Sequence, residues 1–137
     1  AGENELVTSP ISSGVILPGV TRRSIVEMCS EWEGIKVSER RITMGEVMKA
    51  LSEGRLLEMF GSGTAAVVSP VGGLHYEGEM HQLPTPEDGL AGRIMEEMSA
   101  MYYGKVVHPW ALDVEDWKVD TQQVLEDYKQ PDAMALS

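Results

Sequence analysis

Two short stretches place backbone and hydroxyl donors where they could hold an anion. One is Gly61-Ser62-Gly63-Thr64, which interrupts the run "EMFGSGTAAVVSP" between Glu58 and Pro70. Its glycines let N–H groups approach an anion closely and Thr64 adds a hydroxyl, so the chemistry indicated is phosphate binding. The other is Pro18-Gly19-Val20-Thr21, just ahead of a helical pattern. There the first-turn amides of Val20 and Thr21 have no intrahelical acceptor, the helix dipole favours negative charge, and the Thr21 hydroxyl can add a donor. Each stretch also has a plain reading, GSGT as a tight turn and Pro-Gly as an ordinary helix start. Their co-occurrence in one small domain favours phosphate, and a fold that brought them together would grip one phosphate from two sides.

Other chemistries find less support. His75, His81 and His108 invite a metal, and the first two flank a turn, but no carboxylate or Cys has supporting spacing. No metal site is expected. Ser62 does not sit in a nucleophile elbow, because the second glycine follows the serine immediately rather than after one further residue. Met95, Met98 and Met101 read as core filling, with a partner groove as the competing use.

The elements that must position these residues belong to a chain of 137 residues, one domain in size, with 42% hydrophobic residues. Its 22 acidic residues against 11 basic ones argue against nucleic acid or an anionic membrane surface as partner, so any anion must be held locally. Cys29 is the single cysteine, which excludes an intramolecular disulfide and a Cys-based zinc cluster. No apolar run approaches a membrane span, and "AGENELVTSP" shows no targeting signal. The chain reads as one that begins partway through something.

Glu5 to Thr8 is a strand candidate, and a helix follows from near Gly19, burying Ile25, Met28, Cys29 and Trp32 and ending at Gly34, with Arg23 and Glu27 paired four apart. "IKVSERRIT" alternates as a strand. Thr43 and Glu46 form a capping box for a second helix that buries Val47, Met48 and Leu51 and stops at Gly54. Arg55 to Phe60 and Ala65 to Val71 read as strands on either side of GSGT. Leu74–Tyr76 and Glu79–Leu83 read as a hairpin around Glu77-Gly78. Asp88 then caps a helix burying Leu90, Ile94, Met98 and Met101, which Gly104 closes. The mixture predicts an α/β fold, an α+β mixed sheet with flanking helices. Residues 111–137 hold seven acidic residues against Lys118 and Lys129 and read as an acidic, solvated tail behind a domain of residues 1–110.

The runs "GVILPGVTRRSIVEMCSEW", "KVSERRITMGEVMKAL", "EGRLLEMFGSGTAAVVSPV" and "YGKVVHPW" resemble the C-terminal part of branched-chain amino acid aminotransferases, pyridoxal-phosphate enzymes of fold type IV. The likeness covers about Leu6 to Trp110, and "ERRITM" with "MFGSGTA" favours that group over D-amino acid aminotransferases and aminodeoxychorismate lyases. It implies a cofactor phosphate held around Gly19 by the backbone of Val20 and Thr21 and by Thr64, with Leu17 against the pyridine ring. It also implies a substrate carboxylate bound by the amides around Thr64 and Ala65. By the same resemblance the substrates are branched-chain amino acids and 2-oxo acids, the complete enzyme is a homodimer, and its compartment is the cytoplasm or the mitochondrion.

The chain departs from the family pattern in three respects. The family's cofactor-linking lysine, its glutamate at the pyridine nitrogen and an arginine on the phosphate lie in an N-terminal half upstream of "ELVT". None of Lys36, Lys49, Lys105, Lys118 or Lys129 stands in a context that replaces the lysine, so no catalytic residue is assigned and the isolated chain is expected to be inactive. Ala66 and Ser69 occupy the positions of a Cys-x-x-Cys redox pair common in animal members. No family motif extends past Trp110. The competing reading is a truncated, non-catalytic relative serving as a binding or dimerisation module.

Overall fold

A computed structural model describes residues 3–64 and 67–105. It divides into two units, Ala1–Ser99 and Ala100–Ser137. The proposed acidic tail at 111–137 and the "YGKVVHPW" motif beyond Lys105 lie outside the described residues.

In the first unit, strand β1 (Asn4–Thr8) pairs in parallel with β2 (Ile35–Glu39), in the register Leu6 opposite Val37. Parallel neighbours require a crossover, which helix α1 (Val20–Ser30) supplies after a 3-10 turn at Ile11–Ser13. Thr21, Ile25 and Cys29, spaced by four, form the buried stripe of α1. Trp32 was expected within this helix, but the helix ends at Ser30. The N–H groups of Glu31 and Trp32 reach back to Met28 and Cys29, tightening the last turn, and Gly34 takes a positive φ of 78° to turn the chain into β2.

Helix α2 (Met44–Ser52) carries the expected capping box. The Thr43 hydroxyl accepts from the Glu46 N–H, and the Glu46 carboxylate accepts from the Thr43 N–H. Its C-terminus corrects the next expectation. Gly54 adopts φ +67°, and the N–H groups of both Arg55 and Leu56 turn back to the Ala50 carbonyl. Those donors are consumed by the helix end, so Arg55–Met59 does not form the expected strand. Strand β3 begins only at Phe60 (Phe60–Ser62), pairing antiparallel with β4 (Val68–Pro70).

The hairpin of β5 (Gly73–Tyr76) and β6 (Glu79–Gln82) forms as expected. Both turn residues, Glu77 and Gly78, have positive φ (50° and 82°), the requirement of the two-residue turn that matches strand twist. Its register sets His75 opposite Met80 and His81 opposite Leu74, so the two histidines point to opposite faces rather than toward one another.

Helix α3 (Leu90–Tyr102) buries Ala91, Ile94 and Met98. Met98 is 1% exposed and is core. Among the described residues the buried apolar set of the first unit is Ile25, Cys29, Val47, Val68, Leu83, Ala91, Ile94 and Met98. The Arg93 guanidinium stacks 3.7 Å from the Trp32 ring centroid, tying α3 to the turn after α1. In the second unit the described residues are the last turn of α3 and its stop, where the N–H of Gly104 bonds Met101 and that of Lys105 bonds Ala100. The chain is thus a mixed α/β assembly of one parallel and two antiparallel strand pairs with three helices among the described residues.

Candidate anion and cofactor site

In a β-helix-β crossover the helix N-terminus lies at the carboxyl end of the first strand, where open α/β sheets bind ligands. Gly19 is the N-cap of α1, extended at φ −69° and ψ 136°, with no side-chain cap and no acidic residue in the first turn. The Gly19 N–H is spent on Leu17 and its carbonyl accepts from Arg23. Among the described residues no acceptor meets the N–H groups of Val20, Thr21 and Arg22. The end of α1 therefore presents donors and positive dipole with no acidic residue in its own first turn.

Leu17 is 87% exposed and Val20 80% exposed, so two large apolar side chains flank these free amides. A Cβ built on Gly19 meets nothing within 4 Å. Thr21 has its side chain in the buried stripe, at 9% exposure. Thr64 is exposed, in the bend between β3 and β4, which the Gly63 N–H closes by bonding the Val67 carbonyl at 3.3 Å. Ala65 lies outside the described residues. No hydrogen bond among the described residues joins the two turns. Their neighbours share one wall, because Arg22 of α1 and Ser62 of β3 both line a cavity of about 240 Å³ together with Glu5, Ile25, Glu58 and Phe60.

Two side chains that sequence reasoning passed over hold this arrangement. The Arg22 guanidinium, 12% exposed, donates through Nη2 to the Ser9 carbonyl at 2.7 Å and to Glu39 Oε1 at 2.6 Å, while its buried Nε has no partner among the described residues. It thereby fastens the first turn of α1 to the carboxyl ends of β1 and β2. Glu58 accepts from the N–H of Leu90 at 2.5 Å and of Ala91 at 3.1 Å, so it, and not Asp88, caps α3. The local signal available was only that both residues adjoin the anion loops in sequence.

Electrostatics around the cavity are set by surface pairs. The Ser38 hydroxyl, and then Arg40, hold the Glu5 carboxyl below its usual range. Burial pushes the Cys29 thiol up to about 11. Among the described residues no group of three His, Cys, Asp or Glu side chains could hold a metal ion, and no helix is long and apolar enough to cross a membrane.

Comparison with known proteins places these features in a family. The family described as amino-transferase class IV matches residues 1–73. The cytosolic branched-chain-amino-acid aminotransferase of Rattus norvegicus is 50% identical over 115 residues, 82% of this chain and 28% of that protein. That of Monosiga brevicollis is 50% identical over 113 residues, 80% of this chain and 29% of its own length. The mitochondrial enzyme of Rattus norvegicus is 46% identical over 115 residues, 82% of this chain and 29% of that protein. The chain spans less than a third of the length of these curated relatives. A half-identical match across most of the chain, together with a family match over more than half of it, establishes that the chain belongs to the class IV aminotransferases.

Proposed function

We propose that this chain is the phosphate- and carboxylate-anchoring part of a pyridoxal-phosphate-dependent branched-chain aminotransferase. The observation that carries the reading is the 50% identity to such enzymes over 82% of the chain. The residues present fit the cofactor: among the described residues the N–H groups of Val20 and Thr21 meet no acceptor, Gly19 leaves open space, and the first turn of α1 holds no acidic residue. In this reading those amides and the Thr64 hydroxyl hold the phosphate, and Leu17 covers one face of the ring. The amides around Thr64 and Ala65 orient the substrate carboxylate. Pyridoxal phosphate supplies the electron sink that loosens the bonds at the amino acid Cα. This chain contributes fixed positions, and by holding both anionic ends it orients the reacting carbon between them.

The substrates under this reading are leucine, isoleucine or valine and 2-oxoglutarate. The domain is residues 1–110 with 111–137 as an acidic appendage, and the complete protein is a homodimer of the cytosol or the mitochondrion, as the names of its relatives divide. No lysine among the described residues lies in the cavity wall, in keeping with the family resemblance, by which the cofactor-linking amine belongs to an upstream half. Titrating the complete protein with pyridoxal phosphate tests the site. Thr64→Val removes a hydroxyl donor to a charged acceptor and should weaken binding by about 1.5–3 kcal/mol. Unchanged affinity would put the phosphate elsewhere.

A further inference from the structure

The Gly61–Thr64 turn is short, and what fixes it lies at its root. Ser62 is the last residue of β3 to pair, opposite Val68, and the pairing is extended backward by the Val71 N–H bonding the Met59 carbonyl at 2.8 Å. One residue further back, the backbone of Glu58 has no ladder partner among the described residues, yet its side chain crosses to α3. Both carboxylate oxygens are used, Oε1 on the Leu90 N–H and Oε2 on the Ala91 N–H. A negative charge on two orphan donors at a helix N-terminus is favoured by hydrogen bonding and by the dipole together.

The other side of the contact is shaped to admit it. A Cβ at Gly89 would stand 2.8 Å from Glu58 Oε2 and 2.7 Å from Pro86 Cγ, so any larger residue here must push the carboxylate or the Pro86 ring from its present seat. Glu58 and Gly89, far apart in sequence, thus meet in one close approach at the start of α3. Asp88, adjacent and exposed, does not take the role.

We propose that Glu58 is a positioning residue for the Gly61–Thr64 turn, its carboxylate seated on the Leu90 and Ala91 N–H groups in the space left by Gly89 and so clamping the root of β3 to α3. The inference rests on the reading that Thr64 holds the cofactor phosphate, and it deepens that reading by naming what holds Thr64.

The test uses the complete protein and three variants: Glu58→Gln, which turns an amide donor toward the helix N–H groups; Gly89→Ala, which crowds an intact carboxylate; and Thr43→Val, which loses the α2 cap as a stability control. Amide hydrogen exchange is followed without ligand in the peptide covering residues 60–71, and pyridoxal phosphate affinity is measured by titration. Both latch variants should exchange about tenfold faster in that peptide than wild type, as expected when a local clamp opens. Both should bind the cofactor several-fold more weakly, while Thr43→Val leaves both readouts at wild-type values. Wild-type exchange of residues 60–71 in both latch variants overturns the proposal. So does faster exchange with unaltered cofactor affinity when Thr64→Val does weaken binding. Failure of the phosphate reading is separate: Thr64→Val then binds like wild type, and the exchange comparison alone decides whether Glu58 clamps the turn.

Discussion

Replacing Arg22 by Met isolates the contact that fastens α1 to the ends of β1 and β2. Met keeps an unbranched apolar stem of comparable reach, so packing changes little, and the loss is concentrated in the guanidinium. The bond to the Ser9 carbonyl is part-buried and donated by a cation, worth about 1.5–3 kcal/mol. The pair with Glu39 counts for less, because Glu39 is nearly half exposed, and such pairs contribute about 0.2–1 kcal/mol. Against these stands a gain. The buried Nε has no partner among the described residues, and removing it recovers a desolvation cost of roughly 1 kcal/mol or more. The Ser9 bond wins, leaving a net loss of about 1–2 kcal/mol, a factor of roughly 5–30 in a local opening equilibrium. Amide exchange of α1 and of residues 9–14 in the complete protein reads this directly, and Glu39→Gln should produce a much smaller change. Wild-type exchange in Arg22→Met, or an equal effect from Glu39→Gln, would show that the Ser9 bond is not what holds the helix end.

Other outcomes follow from the same structure. Thr43→Val should cost about 1 kcal/mol in a denaturation midpoint, because the capping box loses its hydroxyl, without altering cofactor affinity. Ile94→Ala, at a fully buried position, should cost about 2–5 kcal/mol, and a loss under 1 kcal/mol would contradict the core assigned to α3. The buried Cys29 thiol, raised from an ordinary 9.0 to about 11, keeps its proton where the unfolded chain releases it. Its contribution to stability is therefore complete below about pH 9 and falls as pH rises through 11, so wild type should lose stability faster than Cys29→Ala over that interval, and parallel slopes would refute this. With Ala66 and Ser69 at the positions of the family's cysteine pair, mild peroxide should produce no two-hydrogen mass loss in the peptide of residues 61–73.

Features with a local cause were legible in the sequence. The Thr43–Glu46 box, the Gly54 and Gly104 stops and the Glu77-Gly78 turn each depend on residues within one helical turn or hairpin, and each forms where expected. Features decided at a distance were not legible. The Arg55–Leu57 run has strand composition, but the Ala50 carbonyl captures its first two donors. Asp88 has the right type and place for a cap, yet Glu58 fills it from 32 residues away in sequence. Of the candidate site, the free amides at Val20 and Thr21 followed from the Pro-Gly helix start. That Leu17 and Val20 stand exposed beside them is a tertiary fact, as is the burial of Thr21. The parallel pairing of β1 and β2, and the arginine that ties α1 to both, needed the crossover to be built.

Under the proposed function these residues anchor the cofactor and substrate of a branched-chain transaminase whose reactive amine lies upstream of them. Glutamate formation from leucine and 2-oxoglutarate, measured with pyridoxal phosphate for the complete protein and for residues 1–137 alone, addresses it most directly. Turnover is expected of the complete protein and none of residues 1–137. Absence of turnover by the complete, cofactor-loaded protein would contradict the claim, and so would turnover by residues 1–137 with a stoichiometric borohydride-trapped adduct on one of their own lysines.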